Sequence, residues 1–311
     1  MSSSSSSPSP SASALDSMGM RVGFQGAPGA FSEEAVIGAY GPDAVPVPFR
    51  ENLDVARAVA AGVVDRGVLP VENTLAGSVL ATYDAIIANP EVQAIGEIVL
   101  SIHHCVLGVE GATLGTLRVV ESHPVALAQC ATFFDRHPDI HRRSAYDTAG
   151  AAEEVARAND VARGAIASAA AARRYRLAIV AANVEDRADN QTRFLLVSRV
   201  APPLPNGHPA RTILVVTAPN APGALVRLLL PISDRGLNLS KLESRPTGEP
   251  WTYRFVLEFE HLANDPAARE AHDAIRATAA ACHTIGTYVL PGQSHVTVPA
   301  AGSAQYPPGV P

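Results

Sequence analysis

The chain has 311 residues, 47% of them hydrophobic and 17% charged, with a net charge of −6. That length is large for one core and comfortable for two domains, and the negative balance argues against a nucleic-acid partner, so an anionic ligand would have to be drawn in by local arginines. No run of about eighteen apolar residues exists to span a membrane, and Cys105, Cys130 and Cys282 are too few and too scattered for a secreted disulfide framework, which points to a cytoplasmic protein.

Residues 1–20 are rich in Ser, Pro and Ala and lack both the apolar segment of a secretory signal and the arginines of a transit peptide. A disordered tail is expected there, with Met18 and Met20 as alternative starts. A strand at 21–25 then leads through Gly26–Gly29 to Ser32-Glu33-Glu34, read as an N-cap with acidic residues in the first turn. A helix is expected at 54–62, a strand at 66–71 running into Glu72-Asn73, a helix at 82–89 and a buried strand at 97–108. Another strand at 117–121 delivers Ser122-His123-Pro124 to a helix at 125–136. Thr148 caps a helix at 149–159, and 164–168 and 169–175 read as strand and helix. The apolar stretch 194–200 is a further strand, headed by Asn190-Gln191-Thr192-Arg193-Phe194. This alternation predicts an α/β fold with mostly parallel sheets.

The Pro- and Gly-rich run 202–209 is the clearest boundary. Beyond it the rhythm becomes strand 211–217, helix 222–235, strands 237–245 and 251–260, helix 266–282 and strand 284–290, a βαββαβ unit. Residues 291–311 are a low-complexity tail, and no internal repeat is present.

Small polar residues recur where strands hand over to helices or loops: Gly26–Phe31, Glu72–Thr74, Ser122-His123 and Thr148-Ala149. Open α/β sheets bind ligands at such points, where helix N-termini offer free N–H groups to anions. Each alone is an ordinary cap; converging, they would make a cleft for a small carboxylated metabolite. In Asn190–Phe194, Arg193 can grip a carboxylate with two hydrogen bonds, Thr192 can donate to a departing oxygen, and Phe194 can exclude water. The same residues are also compatible with a strand edge carrying a solvated arginine.

Other patterns are weaker. Gly23, Gly26 and Gly29 are spaced GxxGxxG, not as a dinucleotide fingerprint, and there is no GxxxxGK[ST], GxSxG or HExxH. His103-His104-Cys105 lacks a metal-ligand partner and reads as an apolar strand with one exposed histidine. Glu185-Asp186-Arg187-Ala188-Asp189 reads as a solvated turn.

Six segments in order carry a resemblance: residues 24–33, the segment 69–79 (LPVENTLAGSV), 122–130 (SHPVALAQC), 147–152, 165–168 and Asn190–Phe194. Together with GALV at 223–226 and ESRP at 243–246, they resemble the prephenate dehydratase family over residues 21–290. The implied fold is a two-lobed, periplasmic-binding-protein-like α/β catalytic domain at 21–201 (lobes 21–97 with 185–201, and 98–184), a linker at 202–210 and a ferredoxin-like ACT regulatory domain at 211–290. Ala30 stands where many members have Thr, Val125 where Gln is common, and Thr74 where Ser is frequent.

The resemblance implies conversion of prephenate to phenylpyruvate with loss of carbon dioxide and water. Aromatisation drives that reaction, so no cofactor or metal is expected. Thr192 would donate to the leaving hydroxyl, Arg193 would hold a substrate carboxylate directly or by ordering the cleft, and Phe194 would shield the ring. Asn73, Thr74, Ser122, His123, Thr148 and Asn190 would line the remainder, with His123 as an alternative acid. L-Phenylalanine is the implied effector, held by Gly223, Ala224, Leu225 and Val226 together with Asn238, Leu239, Glu243, Ser244, Arg245 and Pro246. Glu243 and Arg245 are read more as braces than as ligand contacts. Effector binding between paired ACT domains implies a homodimer or homotetramer. The competing readings are an arogenate dehydratase, a non-aromatising prephenate decarboxylase, and a catalytically dead amino-acid sensor.

Overall fold

The computed structural model describes residues 19–247 and 252–291. Trp251 and nearly all of the two expected tails lie outside the described residues.

The first lobe begins with β1 (Arg21–Gln25), α1 (Phe31–Tyr40), β2 (Val45–Phe49), α2 (Asn52–Ala60), β3 (Arg66–Asn73), the two-residue β4 (Gly77–Ser78), α3 (Leu80–Ile87) and β5 (Gln93–Ser101). The chain crosses at 102–104 into the second lobe, which holds β6 (Cys105–Gly108), β7 (Val119–Ser122), α4 (Pro124–Ala128), α5 (Ala131–Arg136), β8 (His141–Ser144), α6 (Thr148–Ala158), β9 (Arg163–Ala167), α7 (Ala169–Tyr175) and β10 (Ala178–Ala181). It then returns to the first lobe as β11 (Gln191–Ser198). A βαββαβ unit follows: β12 (Pro209–Thr217), α8 (Ala224–Ser233), β13 (Asn238–Pro246), β14 (Tyr253–Leu262), α9 (Pro266–Thr278) and β15 (Ala281–Val289). The result is the expected two-lobed α/β region followed by a ferredoxin-like unit, but both catalytic sheets are mixed and not mostly parallel, because β11 returns antiparallel between β3 and β5 and β6 runs antiparallel to β9 and β10. No described helix is long and apolar enough to cross a membrane.

The second lobe is built on a sheet of order β10-β6-β9-β7-β8. In the first lobe the order β2-β1-β3-β11-β5 continues into β15-β12-β14-β13, so one sheet runs through both domains. The join is a single parallel register pair, Gly286 with Ala94. A Cβ on Gly286 would collide with the Ala94 backbone, so glycine permits the approach. A shared core beside this join packs Leu69, Val71 and Leu195 against Val215, Val256 and Tyr288. The two lobes share a second core in which Phe24 and Phe194 meet Leu107 and Ala165.

Several expected elements are interrupted. The apolar run 97–108 is two strands in different sheets, broken at 102–104 where the chain changes lobe. The helix expected at 125–136 splits at Gln129-Cys130 into α4 and α5, and Asp186 accepts the Ala131 and Thr132 amides (2.9 and 2.8 Å) at the new N-terminus. The helix expected to reach 282 stops at Thr278, and Ala281 already begins β15. Ser32 is not a cap: α1 starts at Phe31 after Ala30, and Ser32 lies buried inside the first turn. Thr148 is likewise the first helical residue, and the cap is Asp147, whose carboxylate accepts the Gly150 amide.

Candidate active site

A cleft of about 500 Å³ opens between the lobes. The first lobe contributes the turn after β1, where Gly26 and Gly29 have φ of 112° and 90°, conformations that glycine adopts without strain. That turn is pinned to the second lobe, because Ser168 Oγ donates to the Gly29 carbonyl (2.9 Å) and Tyr175 to that of Pro28 (2.7 Å). The N-termini of α1 and α6 reach the cleft through Ala30–Ser32 and Thr148. Free amides and the helix dipole favour an anion at α1, whereas at α6 the Asp147 carboxylate already holds that place, and it and Glu51 line the cleft.

Side chains alternate along β11, so Thr192 and Phe194 line the cleft while Arg193 points to the opposite face. A chain of amides fixes Thr192. The backbone N–H groups of Leu75 and Ala76 donate to Asn73 Oδ1 (3.0 and 2.8 Å), which assigns that atom as the oxygen. Asn73 Nδ2 then donates to Thr192 Oγ1 (2.9 Å) and to Asn190 Oδ1 (2.8 Å). Thr192 is therefore an acceptor toward Asn73, and its own hydroxyl proton remains available to a group in the cleft.

The chain of amides continues outward. Gln129 Nε2 donates to Asn73 Oδ1 (3.2 Å), so Gln129 Oε1 accepts from Asn190 Nδ2 (3.0 Å) and from His104 Nε2 (3.0 Å). His104 is thus the Nε2–H tautomer, with Nδ1 buried and without a hydrogen-bond partner among the described residues. Burial pushes the His104 pKa below its ordinary value, against the opposing pull of Gln129. Phe31 packs edge-on against its ring at 5.5 Å.

Of the sequence-predicted residues, Asn73, His123, Thr148, Thr192 and Phe194 line the cleft, whereas Thr74, Ser122, Asn190 and Arg193 do not. Thr74 Oγ1 bonds the backbone of Asp189 and Gln191, and Ser122 Oγ donates to the Ile166 carbonyl (2.6 Å). Asn190 is fully buried within the amide chain. His123 is exposed and caps α4, its Nδ1 accepting the Val125 amide (3.2 Å).

Arg193 differs most from expectation. Its guanidinium donates to Glu72 (2.8 Å), Glu97 (3.1 Å) and twice to Glu258 (2.8 and 2.9 Å). Burial alone would lower its pKa, but Glu258 and Glu97 more than offset that and hold the charge firmly. Among the described residues no arginine or lysine lines the cleft beside Thr192; Arg50 lies over the Tyr146 ring (5.0 Å) in the adjoining hollow that shares Gly26, Tyr146 and Asp147 with the cleft.

Two further readings are corrected. His104 lies buried at the lobe crossing, not on a strand, and lines the cleft. Glu185 is no solvated turn: its side chain is 4% exposed, pairs with His103 Nδ1 and accepts the His104 amide, each at 2.8 Å. Sequence reasoning also missed Gln129, although it sits inside the segment 122–130 and ends a helix that the pattern would continue.

The family model described as prephenate dehydratase matches residues 22–202, and that described as ACT domain matches 212–277. "Arogenate dehydratase/prephenate dehydratase 1, chloroplastic" of Arabidopsis thaliana is 35% identical over 291 residues, covering 88% of this chain and 73% of that protein. The chain belongs to the prephenate dehydratase family. Members of that family are carbon–oxygen lyases. Among solved structures, prephenate dehydratase of Arthrobacter aurescens in complex with L-Phe is 30% identical with a TM-score of 0.80, covering 87% of this chain and 90% of that one. A structure titled "GqqA- a novel type of quorum quenching acylases" is 32% identical with a TM-score of 0.77, covering 87% and 98%.

In the ACT domain, Gly223 precedes α8 with φ 72°, and β13 is the outer strand of the long sheet. Asn238 donates to Glu260 (3.2 Å), while Leu239 packs toward the domain core. Ser244 and Pro246 are exposed. Glu243 accepts from Ser78 Oγ, and the buried Arg245 donates to the Leu80 carbonyl (3.2 Å) and to Asp84. These last two side chains are turned toward the catalytic domain.

Proposed function

We propose that residues 21–201 dehydrate and decarboxylate prephenate to phenylpyruvate, and that residues 211–290 sense L-phenylalanine as feedback inhibitor. The observation that carries the catalytic reading is Thr192, whose lone pair is engaged by Asn73 while its proton is free toward the cleft beside Phe194. In the reaction the bond from the ring to its carboxylate breaks, carbon dioxide leaves, and the electron pair moves through the ring to expel the hydroxyl at the opposite carbon. One proton converts the departing hydroxide to water. A donor preorganised at the leaving oxygen stabilises the charge that develops there.

The N-terminus of α1, which has no side-chain cap, suits a substrate carboxylate better than that of α6, where Asp147 already caps the helix. Phe194 supports the ring, and Arg193 acts by ordering the cleft from behind β11. The acylase title of one relative finds no counterpart here. None of the cleft hydroxyls of Ser32, Thr148 and Thr192 is hydrogen-bonded to a histidine among the described residues, and burial pushes the Cys130 thiol up to about 12.

Val226 and Leu230 on α8 and Leu242 on β13 are exposed apolar residues, and among the described residues one edge of β13 is unpaired. A second copy docking there supports a homodimer, or a tetramer built from two, with the effector between ACT domains. The three unpaired cysteines suit a reducing, cytoplasmic setting.

Phenylpyruvate formation from prephenate, followed spectrophotometrically with and without phenylalanine, tests this reading. Faster turnover of arogenate would reassign the substrate, and silence on both would leave the sensor reading.

A further inference from the structure

The ACT domain reaches the catalytic constellation at one lysine to which the family motifs give no role. Lys241 lies on β13 with its side chain largely buried, and its Nζ donates to Glu72 (3.0 Å) and to Ser78 Oγ (2.7 Å). Ser78 in turn donates to Glu243. Glu72 and Ser78 are register partners in the β3–β4 hairpin, and the segment between them contains Asn73, whose amide holds Thr192. A strand of one domain therefore grips both legs of the hairpin that sets the hydroxyl in the other. Arg193 holds Glu72 from its other side (2.8 Å). Lys241 and Arg193 hold the Glu72 carboxyl below its ordinary range, against a burial that would raise it.

We propose that Lys241 is a positioning residue for the active site, acting through Glu72 and Ser78 on Asn73 and Thr192, and that an occupant of β13 alters turnover through this contact. The effector part rests on the reading of the preceding section; the positioning part does not. An ammonium at the hairpin base neutralises Glu72 and orders the Ser78 hydroxyl. Without it the hairpin keeps its β3–β4 pairing and the Ser78–Glu243 hydrogen bond but loses the one group that joins both of its legs to β13, and Asn73 is free to shift by fractions of an ångström. A small displacement of the donor at the leaving oxygen costs rate much more than it costs binding.

The test uses the full chain and the variants Lys241→Met, Lys241→Arg and Ser78→Ala. Lys241→Met is expected to lower kcat about tenfold with KM little changed and to blunt phenylalanine inhibition, with Lys241→Arg restoring part of both. Because both act through one contact, the kcat losses of Lys241→Met and Ser78→Ala should not multiply in the double variant. Amide exchange provides a readout independent of substrate: residues 72–79 and 190–194 should exchange faster in Lys241→Met. Unchanged exchange there, or full kcat and inhibition in a folded Lys241→Met, overturns the proposal. If the unmodified chain is silent toward prephenate, the substrate assignment fails and exchange alone decides the positioning role. Ser78→Ala removes a single hydroxyl, so it guards against a Lys241 variant that fails to fold.

Discussion

Arg193 on β11 and Glu258 on β14 face each other across the domain boundary in a two-pronged ion pair, with hydrogen bonds of 2.8 and 2.9 Å. Glu258 is 2% exposed and also accepts from Tyr83 (3.2 Å). Around them Arg211 donates to Glu97 (2.7 Å) and Glu260 (2.8 Å), and Tyr288 donates to Glu97 (2.7 Å). Buried charges persist when each is paired and hydrogen-bonded, and removing one member strands the rest. The arginine next to the proposed catalytic threonine therefore serves as the central tie between two domains.

Arg193→Met should accordingly destabilise the fold by about 3 kcal/mol, since it leaves carboxylates buried without their cation. Urea unfolding reads this directly. Arg193→Lys keeps the charge but loses the fork, so it should be intermediate in stability and leave KM close to wild type. A raised KM in a variant of undiminished stability would return Arg193 to the substrate.

Turnover should depend on the proton of Thr192 and on the amide that turns it. Thr192→Val keeps the shape and removes the donor, so kcat should fall on the order of a hundredfold or more with KM nearly unchanged. Asn73→Asp puts an acceptor where Nδ2 stood, which would turn the Thr192 proton away from the cleft. Its effect should be of similar size, and the double variant should lose little more than either alone. Near-normal turnover in either single variant would shift suspicion to His123.

The βαββαβ unit was legible because its elements are short, its strand and helix periods are distinct and a Pro-rich run precedes it. Breaks within apolar runs were not legible. Nothing local in 97–108 says that the strand stops at Ser101 and resumes at Cys105 in another sheet, because the cause is a lobe crossing held by Glu185, far along the chain. Thr192 and Phe194 could be placed together from strand alternation, and the same alternation excludes Arg193 from their face. Its carboxylate partners on β3, β5 and β14 are distant in sequence, so motif adjacency suggested a substrate contact. His104 and Gln129 were passed over because their role lies in amide-to-amide contacts that only the assembled lobes create.

His104 should also mark the pH dependence of stability. Its folded pKa lies below the ordinary histidine value of about 6.5, so between those two values the unfolded chain binds a proton that the folded chain refuses. The stabilisation is complete above that range and is lost as pH falls through it. His272, also lowered by burial, acts in the same direction. Unfolding free energy should decline from pH 7.5 to 5.5, before the carboxylates titrate, and more steeply than in His104→Gln, which cannot take up a proton. Equal slopes for the two chains would mean that His104 is not held neutral.

The edge at β13 leads to the last expectation. Leu242 is 45% exposed on β13, near the exposed Val226 and Leu230 of the neighbouring α8, and among the described residues nothing pairs with the sheet's edge beside it. A charge on such an edge opposes pairing with another chain. Leu242→Asp should therefore shift the chain toward monomer in sedimentation experiments. If phenylalanine is held between paired ACT domains, calorimetry on the same variant should show its binding weakened in step with dissociation. The coupling must also run in reverse, so phenylalanine should tighten the dimer of the unmodified chain, and prephenate should weaken phenylalanine binding by the same factor that phenylalanine weakens prephenate binding, typically about 1–3 kcal/mol. Full phenylalanine affinity in a monomeric Leu242→Asp would place the effector site within a single ACT domain.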